Sequence, residues 1–262
     1  MLTALNESDR PYAFIDLRGS ASWREFYSLI SRSFSEFIER ASRWGKGEFL
    51  KLVSRLRGVS VLGFEVSLNW LPGKRPLLGE LFDVLDEVGE RTGEKVIIVS
   101  DEFQRSRGPI GASLHGAIVH SYDFHRDLSF VLTGSEMGVL YGILGDPENP
   151  LYGRAYLEVR TRKLSREESL DFLNRGFEEA GVKGSEVERA VEELDGIIGW
   201  LTYYGYLKVR GGDFDSLINE ALELAKSEIE SFLASRVSKR YRVVLKLLAE
   251  GLTELGEAKK GS

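Results

Sequence analysis

The chain has 262 residues, 42% of them hydrophobic and 29% charged, enough for one large domain plus a small one with an apolar core, which excludes a disordered chain. Its net charge of -6 gives no overall pull toward nucleic acid or an anionic membrane, although a local basic face is compatible with it. Cysteine is absent, which removes disulfides, thiolate metal sites and cysteine nucleophiles together. No apolar run reaches the length of a membrane span and no signal-peptide layout opens the chain, so a cytoplasmic location is expected. Gln104 is the only glutamine, and Met and Asn are scarce beside Glu, Arg and Lys, a bias that fits a hot environment.

Met1 to Glu7 reads as the last two turns of a helix, since Leu2 and Leu5 are apolar and no capping residue precedes them. Tyr12 to Leu17 is a short buried strand ending at Asp16 and turning at Arg18-Gly19. Ser22 and Glu25 form a capping box that opens a long helix. Its apolar stripe, Trp23, Phe26, Ile30, Phe34, Phe37, Ile38, Ala41 and Trp44, recurs at steps of three and four and predicts a packed core face. A second helical stretch covers Lys46 to Leu56. Val59, Val61, Phe64, Val66 and Leu68 then predict a hairpin turning at Gly63. Leu78, Leu81, Leu85 and Val88 form the inner face of the next helix.

That helix feeds Val96-Ile97-Ile98-Val99-Ser100-Asp101-Glu102, an apolar run without polar alternation that ends in two acids. Such a run is what a strand covered on both faces of a parallel sheet looks like. Ligands bind at the carboxyl edge of such sheets, so Asp101 and Glu102 are either part of a site or an ordinary acidic turn. A helix follows through Ile110, Leu114 and Ile118. Its histidines, His115, His120 and His125, are spaced by five, about 140° apart around a helix, and so do not share one face as metal ligands. They read as polar boundary residues. Leu128 to Thr133 is a third strand, and Ala155 to Arg160 is expected to be a fourth.

The chain changes character near residue 163, beyond which everything reads as helical. Capping boxes at Ser165 to Glu168 and Ser185 to Glu188 start helices, and Gly196 to Gly205 is a glycine-punctuated apolar segment expected to pack closely on a neighbour. A long helix covers Asp213 to Ser235. Arg236, Lys239, Arg240, Arg242 and Lys246 then cluster, either as the solvated face of an amphipathic helix or as a DNA-binding patch.

The succession of Val96 to Gln104, Leu128 to Ser135, Leu151 to Arg154, Leu164 to Glu168 and Gly196 to Leu201 resembles the archaeal ATPase family of P-loop NTPases, relatives of the AAA+ and signal-transducing ATPases. The resemblance runs collinearly over residues 1 to 255. It implies an α/β fold, a three-layer parallel sheet followed by a helical lid. The expected divisions are a partial ATPase core at 1–162, a helical lid at 163–235 and the start of a truncated winged helix at 236–262. ATP and Mg²⁺ are the implied ligands. By position, Asp101 looks like the Mg²⁺-associated acid and Glu102 like the acid that polarises the attacking water. Gln104 accompanies Asp101 on the nucleotide-binding side, Ser135 resembles a sensor of the γ-phosphate, and Arg154 resembles an arginine that neutralises developing phosphate charge from the same or a neighbouring subunit.

The pattern departs from the family in one respect above all. No Gly-x-x-x-x-Gly-Lys-Ser/Thr run, whose amides and lysine cradle phosphates, occurs anywhere in the chain. The resemblance aligns Met1 to Glu7 with the back half of the helix after that loop, so the loop and its central strand are expected to lie upstream, the sheet to be incomplete and ATP binding by this chain to be impaired. Ile198 stands where the lid usually has proline. Two other classes of function stay open: a non-catalytic interaction module on the ATPase scaffold, and a Mg²⁺-dependent nuclease using Asp16, Asp101 and Glu102 as oxygen ligands.

Overall fold

Three short apolar runs, the central one rich in β-branched residues, build a parallel sheet, each separated from the next by helices long enough for a crossover. The computed structural model describes residues 2–8, 10–40, 46–63, 65–184, 186–234, 238 and 240–252. Contacts divide the chain into two compact units, Met1–Leu157 and Glu158–Ser262.

In the first unit, α1 (Leu2–Glu7) leads into β1 (Tyr12–Asp16), and α2 (Trp23–Arg40) and α3 (Lys46–Val53) follow. The hairpin β2 (Val59–Leu62) and β3 (Glu65–Leu68) comes next, then α4 (Leu78–Thr92), β4 (Val96–Asp101), α5 (Gly108–Phe124), β5 (Leu128–Leu132) and α6 (Met137–Gly145). The sheet order is β1-β4-β5, all parallel, with Asp16 level with Asp101 and Ser100 level with Leu132. Val96, Ile98, Val99 and Ser100 are buried at both parities of β4, so the central strand is covered on both faces.

Helix α2 buries Phe26, Ile30, Phe34, Phe37 and Ile38, the predicted stripe; Ala41 and Trp44 lie outside the described residues. Ser22 Oγ accepts the Glu25 amide at 3.3 Å and donates to the Glu25 carboxylate at 2.9 Å, so the cap closes through the two side chains. The same helix covers the edge of the hairpin. Leu68 N–H donates to Ser31 Oγ at 3.0 Å and Val66 N–H to Ser35 Oγ at 2.9 Å, which supplies acceptors to amides that an edge strand would otherwise leave bare. Gly63 turns the hairpin at φ 61°, a conformation open to glycine; the neighbouring Phe64 lies outside the described residues.

The expected fourth strand is corrected. Residues 154–165 carry no regular secondary structure, and Tyr156, Leu157 and Val159 are exposed. An extended apolar run becomes a strand only when a neighbour receives its hydrogen bonds. Among the described residues the sheet ends at β5, whose outer edge takes no further strand, and 155–160 pairs with none. The residues of β5 are accordingly half-buried or exposed, unlike those of β4.

The second unit holds α7 (Arg166–Glu179), α8 (Val187–Leu194), α9 (Ile198–Val209), α10 (Phe214–Ala234) and α11 (Arg240–Ala249). Its core gathers Leu173, Phe177, Val191, Leu201, Tyr204 and Phe214. Ser165 and Glu168 make a reciprocal capping box, at 3.2 Å from the Glu168 amide and 2.7 Å from the Ser165 amide. Arg162 pairs with Glu168, and together with that amide holds its carboxyl down at about 2. Gly196, at φ 70°, lies so close to the Leu164 carbonyl that a Cβ has no room, the tight packing expected of this glycine-rich segment. Ser185, Arg236, Lys239 and residues 253–262 of the expected winged-helix start lie outside the described residues, while Arg240, Arg242 and Lys246 are exposed on α11. No described helix is long and apolar enough to cross a membrane.

Candidate active site

The carboxyl edge of the sheet brings Asp16, Asp101 and Thr133 side by side, because the three strands are parallel and in register there. Thr133 N–H donates to Ser100 O at 3.0 Å and Phe103 N–H to Thr133 O at 2.8 Å, so the pairing continues past the strand ends and fixes the turn that carries the acids. Thr133 Oγ1 donates to Asp101 Oδ1 in a short hydrogen bond. Asp101 thus keeps its second oxygen and its other lone pairs for a ligand.

Glu102 stands in left-handed backbone, at φ 54° and ψ 42°. A non-glycine residue there costs about 1 to 2 kcal/mol and persists only where its surroundings hold it. Those surroundings are visible. Glu102 begins a single 3₁₀ turn, Phe103–Arg105, whose Phe103 and Gln104 are fully buried. Gln104 Nε2 donates to the Glu102 carboxylate in a short bond and to Ser135 Oγ at 3.2 Å, and Ser135 Oγ donates to Glu102 at 3.1 Å. The carboxylate is therefore oriented by two donors. Gly134 makes this possible, since a Cβ there would run into Gln104 Oε1.

Behind the turn, His115 is buried against the Phe103 ring at 5.1 Å. Asn149 Nδ2 donates to His115 Nδ1 at 3.0 Å, and Ser106 Oγ donates to Phe103 O at 2.6 Å. The remaining 2.8 Å contact is then His115 Nε2–H donating to Ser106 Oγ, which makes the ring neutral. Burial pushes the His115 pKa down to about 4.

Asp16 is occupied by its own neighbour. Arg18 Nε sits 2.9 and 3.0 Å from its two oxygens, and this pairing holds the Asp16 carboxyl below its ordinary range against the opposing effect of burial. The Arg18 guanidinium is in turn held protonated chiefly by Asp16, with Asp101 and Glu102 adding to it. Arg18 is thus a cation within electrostatic reach of both acids, and the sequence marked it only as a turn residue.

Of the predicted residues, the structure brings Asp101, Glu102, Gln104 and Ser135 together. Gln104 is a buried prop beneath Glu102, with Oε1 unpartnered among the described residues, rather than a group exposed to a ligand. Arg154 is elsewhere. Its guanidinium pairs with Asp123 at 2.8 Å and reaches the Pro150 carbonyl at 3.4 Å. Asp123 lies about 20 Å along α5 from its start beside the Gln104 turn. Thr133, Gly134 and His115 carry supporting roles that strand and helix periodicity does not reveal. A cavity of about 660 Å³ in the helical unit, lined by Phe172, Arg175, Ile198 and Tyr206 among others, contains none of the predicted site residues.

Two oxygen-only acids at a strand end suit Mg²⁺, a hard ion that takes one or two carboxylates and keeps its waters. Comparison with solved structures finds a Walker-type ATPase of Pyrococcus abyssi, with a TM-score of 0.76 and 33% identity, over 98% of this chain and 74% of that one. No family model matches the chain, and no curated protein does.

Proposed function

Because this chain belongs to the family of Walker-type ATPases, we propose that it supplies the metal and water side of an ATP-hydrolysing switch that operates in the cytoplasm. The observation that carries the reading is the oriented Glu102, strained in its backbone and hydrogen-bonded by Gln104 and Ser135 at the carboxyl end of β4. In it, Asp101 would hold Mg²⁺ through the ion's waters, with Thr133 fixing the carboxylate's rotamer. Mg²⁺ would supply charge neutralisation on the phosphates when bound. Glu102 accepts a hydrogen bond from the attacking water and aligns it; Ser135, donating to the same carboxylate, is placed to report on what Glu102 contacts. Gln104 is a positioning residue. Arg154 enters the site only by leaving Asp123, or acts on a second copy of the chain.

The helical unit is proposed to be the lid, and α11 the beginning of a winged helix whose Arg240, Arg242 and Lys246 meet DNA or another protein. The 262 residues contain no phosphate-cradling Gly-x-x-x-x-Gly-Lys-Ser/Thr run, so this chain by itself is expected to bind ATP weakly. Mg-ATP titrated into it should bind no tighter than about 100 μM, against micromolar affinity when it is joined behind a strand bearing such a loop. Micromolar binding by the 262 residues alone would contradict this part of the reading.

The same missing run favours a second reading, a non-catalytic interaction module on the ATPase scaffold. Loss of nucleotide binding in the natural protein together with an intact partner interaction would select it.

A further inference from the structure

The spacing of His120 and His125 excludes a shared helical face only if both are helical. His125 is not. Helix α5 ends at Phe124, and His125 is its cap, in extended backbone at φ -88° and ψ 149°. The change of direction turns its ring back toward His120, with the ring centres 5.6 Å apart, and both imidazoles meet Asp83 of α4. His125 Nε2 is 2.8 Å and His120 Nε2 3.9 Å from Asp83 Oδ1, and one donor atom from each residue lies within 4.8 Å of the others.

We propose that Asp83, His120 and His125 bind a divalent transition-metal ion of the Zn²⁺ class and clamp α4 to the end of α5. Two imidazole nitrogens and one carboxylate are the donor set of a three-ligand zinc site with an open fourth position, whereas Mg²⁺ prefers oxygen. Bonds of about 2.0 to 2.2 Å in a tetrahedron require ligand atoms roughly 3.3 Å apart, and the two observed separations from Asp83 bracket that distance.

Burial supports the arrangement. The His125 side chain is only 8% exposed, and its buried Nδ1 has no hydrogen-bond partner among the described residues, so the ring's one polar contact is Asp83. Metal binding through Nε2 moves the ring proton to Nδ1, so the gain at the metal has to offset a buried N–H that has no protein acceptor among the described residues. His120 and Asp83 are about half exposed, free to close the last fraction of an ångström and to leave a water on the ion. The backbone beyond His125 is already anchored to α4. Asp86, three residues after Asp83 and on the same face, accepts the Arg126 and Asp127 amides at 3.1 and 2.8 Å. His120 lies about 18 Å along α5 from Gly108, away from the turn that carries Asp101 and Glu102.

The test uses the tag-free chain, stripped with EDTA and desalted, titrated with Zn²⁺ by calorimetry and with Co²⁺ by visible absorption. The expected result is one ion per chain, a tetrahedral Co²⁺ spectrum, and a melting temperature raised by about 5 °C at saturating Zn²⁺. His120→Ala and Asp83→Asn, both at half-exposed positions that should fold, are expected to weaken binding at least about tenfold, and Asp101→Ala to leave it unchanged. Absence of Zn²⁺ binding, binding that survives both His120→Ala and Asp83→Asn, or binding lost only in Asp101→Ala would overturn the proposal and leave Asp83 as a hydrogen-bond acceptor alone.

Discussion

His115 ties the stability of the site's foundation to pH. Its ring is neutral and enclosed, with Asn149 donating to one nitrogen and Ser106 accepting from the other, and Ser106 in turn holds the Phe103 carbonyl of the turn that displays Glu102. Burial lowers its pKa from 6.5 to about 4. The unfolded chain therefore takes up the proton first as pH falls, and folding stability rises with pH across that window. The contribution is whole above about pH 6.5, declines below it, and has been lost by about pH 4; the displacement is worth about 3 kcal/mol. Urea unfolding of the wild type and His115→Gln, followed from about pH 7.5 to about pH 4.5, separates the contribution of His115 from that of the carboxylates common to both. Wild-type stability should fall more steeply than that of His115→Gln, by about 2 to 3 kcal/mol over the range. Parallel curves would refute the neutral, buried ring, as would a directly titrated His115 pKa near 6.5.

Other perturbations follow from single contacts. Ser35→Ala strips the Val66 amide of its acceptor at the hairpin edge and should cost about 1 to 2 kcal/mol in urea unfolding, where an exposed serine would cost almost nothing. Gly134→Ala places a methyl group against the buried Gln104 amide; it should destabilise by about 1 to 3 kcal/mol and disturb the Glu102 carboxylate, visible as a displaced Ser135 amide resonance. Ser165→Ala removes half of the capping box of α7 and should lower stability by about 1 kcal/mol, read as a lower melting temperature.

The strands, the helix caps and the acid-ended β4 are legible in the sequence because each depends on residues close in the chain: unbroken apolar runs, a Ser and a Glu three apart, a glycine at a forced turn. What depends on a distant partner is not. Ala155 to Arg160 has the composition of a strand, but composition does not supply the neighbour that makes one. Gln104 stands beside the acids in sequence and reads as a ligand-binding group, yet the 3₁₀ turn after Glu102 sends it inward as their support. The five-residue spacing of the histidines misleads for a related reason, since the helix stops one residue before His125. Arg154 and Asp123 are joined across 31 positions, a pairing no local pattern announces.

The central claim is that Glu102 orients water for ATP hydrolysis, and turnover by the protein as its own gene encodes it tests this most directly. Glu102→Gln keeps the size of the side chain and one carbonyl acceptor but removes the charge. Mg²⁺-dependent hydrolysis should drop by at least about 100-fold while ATP binding is retained. Turnover that is unchanged in Glu102→Gln, or a wild-type protein that neither binds nor hydrolyses ATP, would contradict the account.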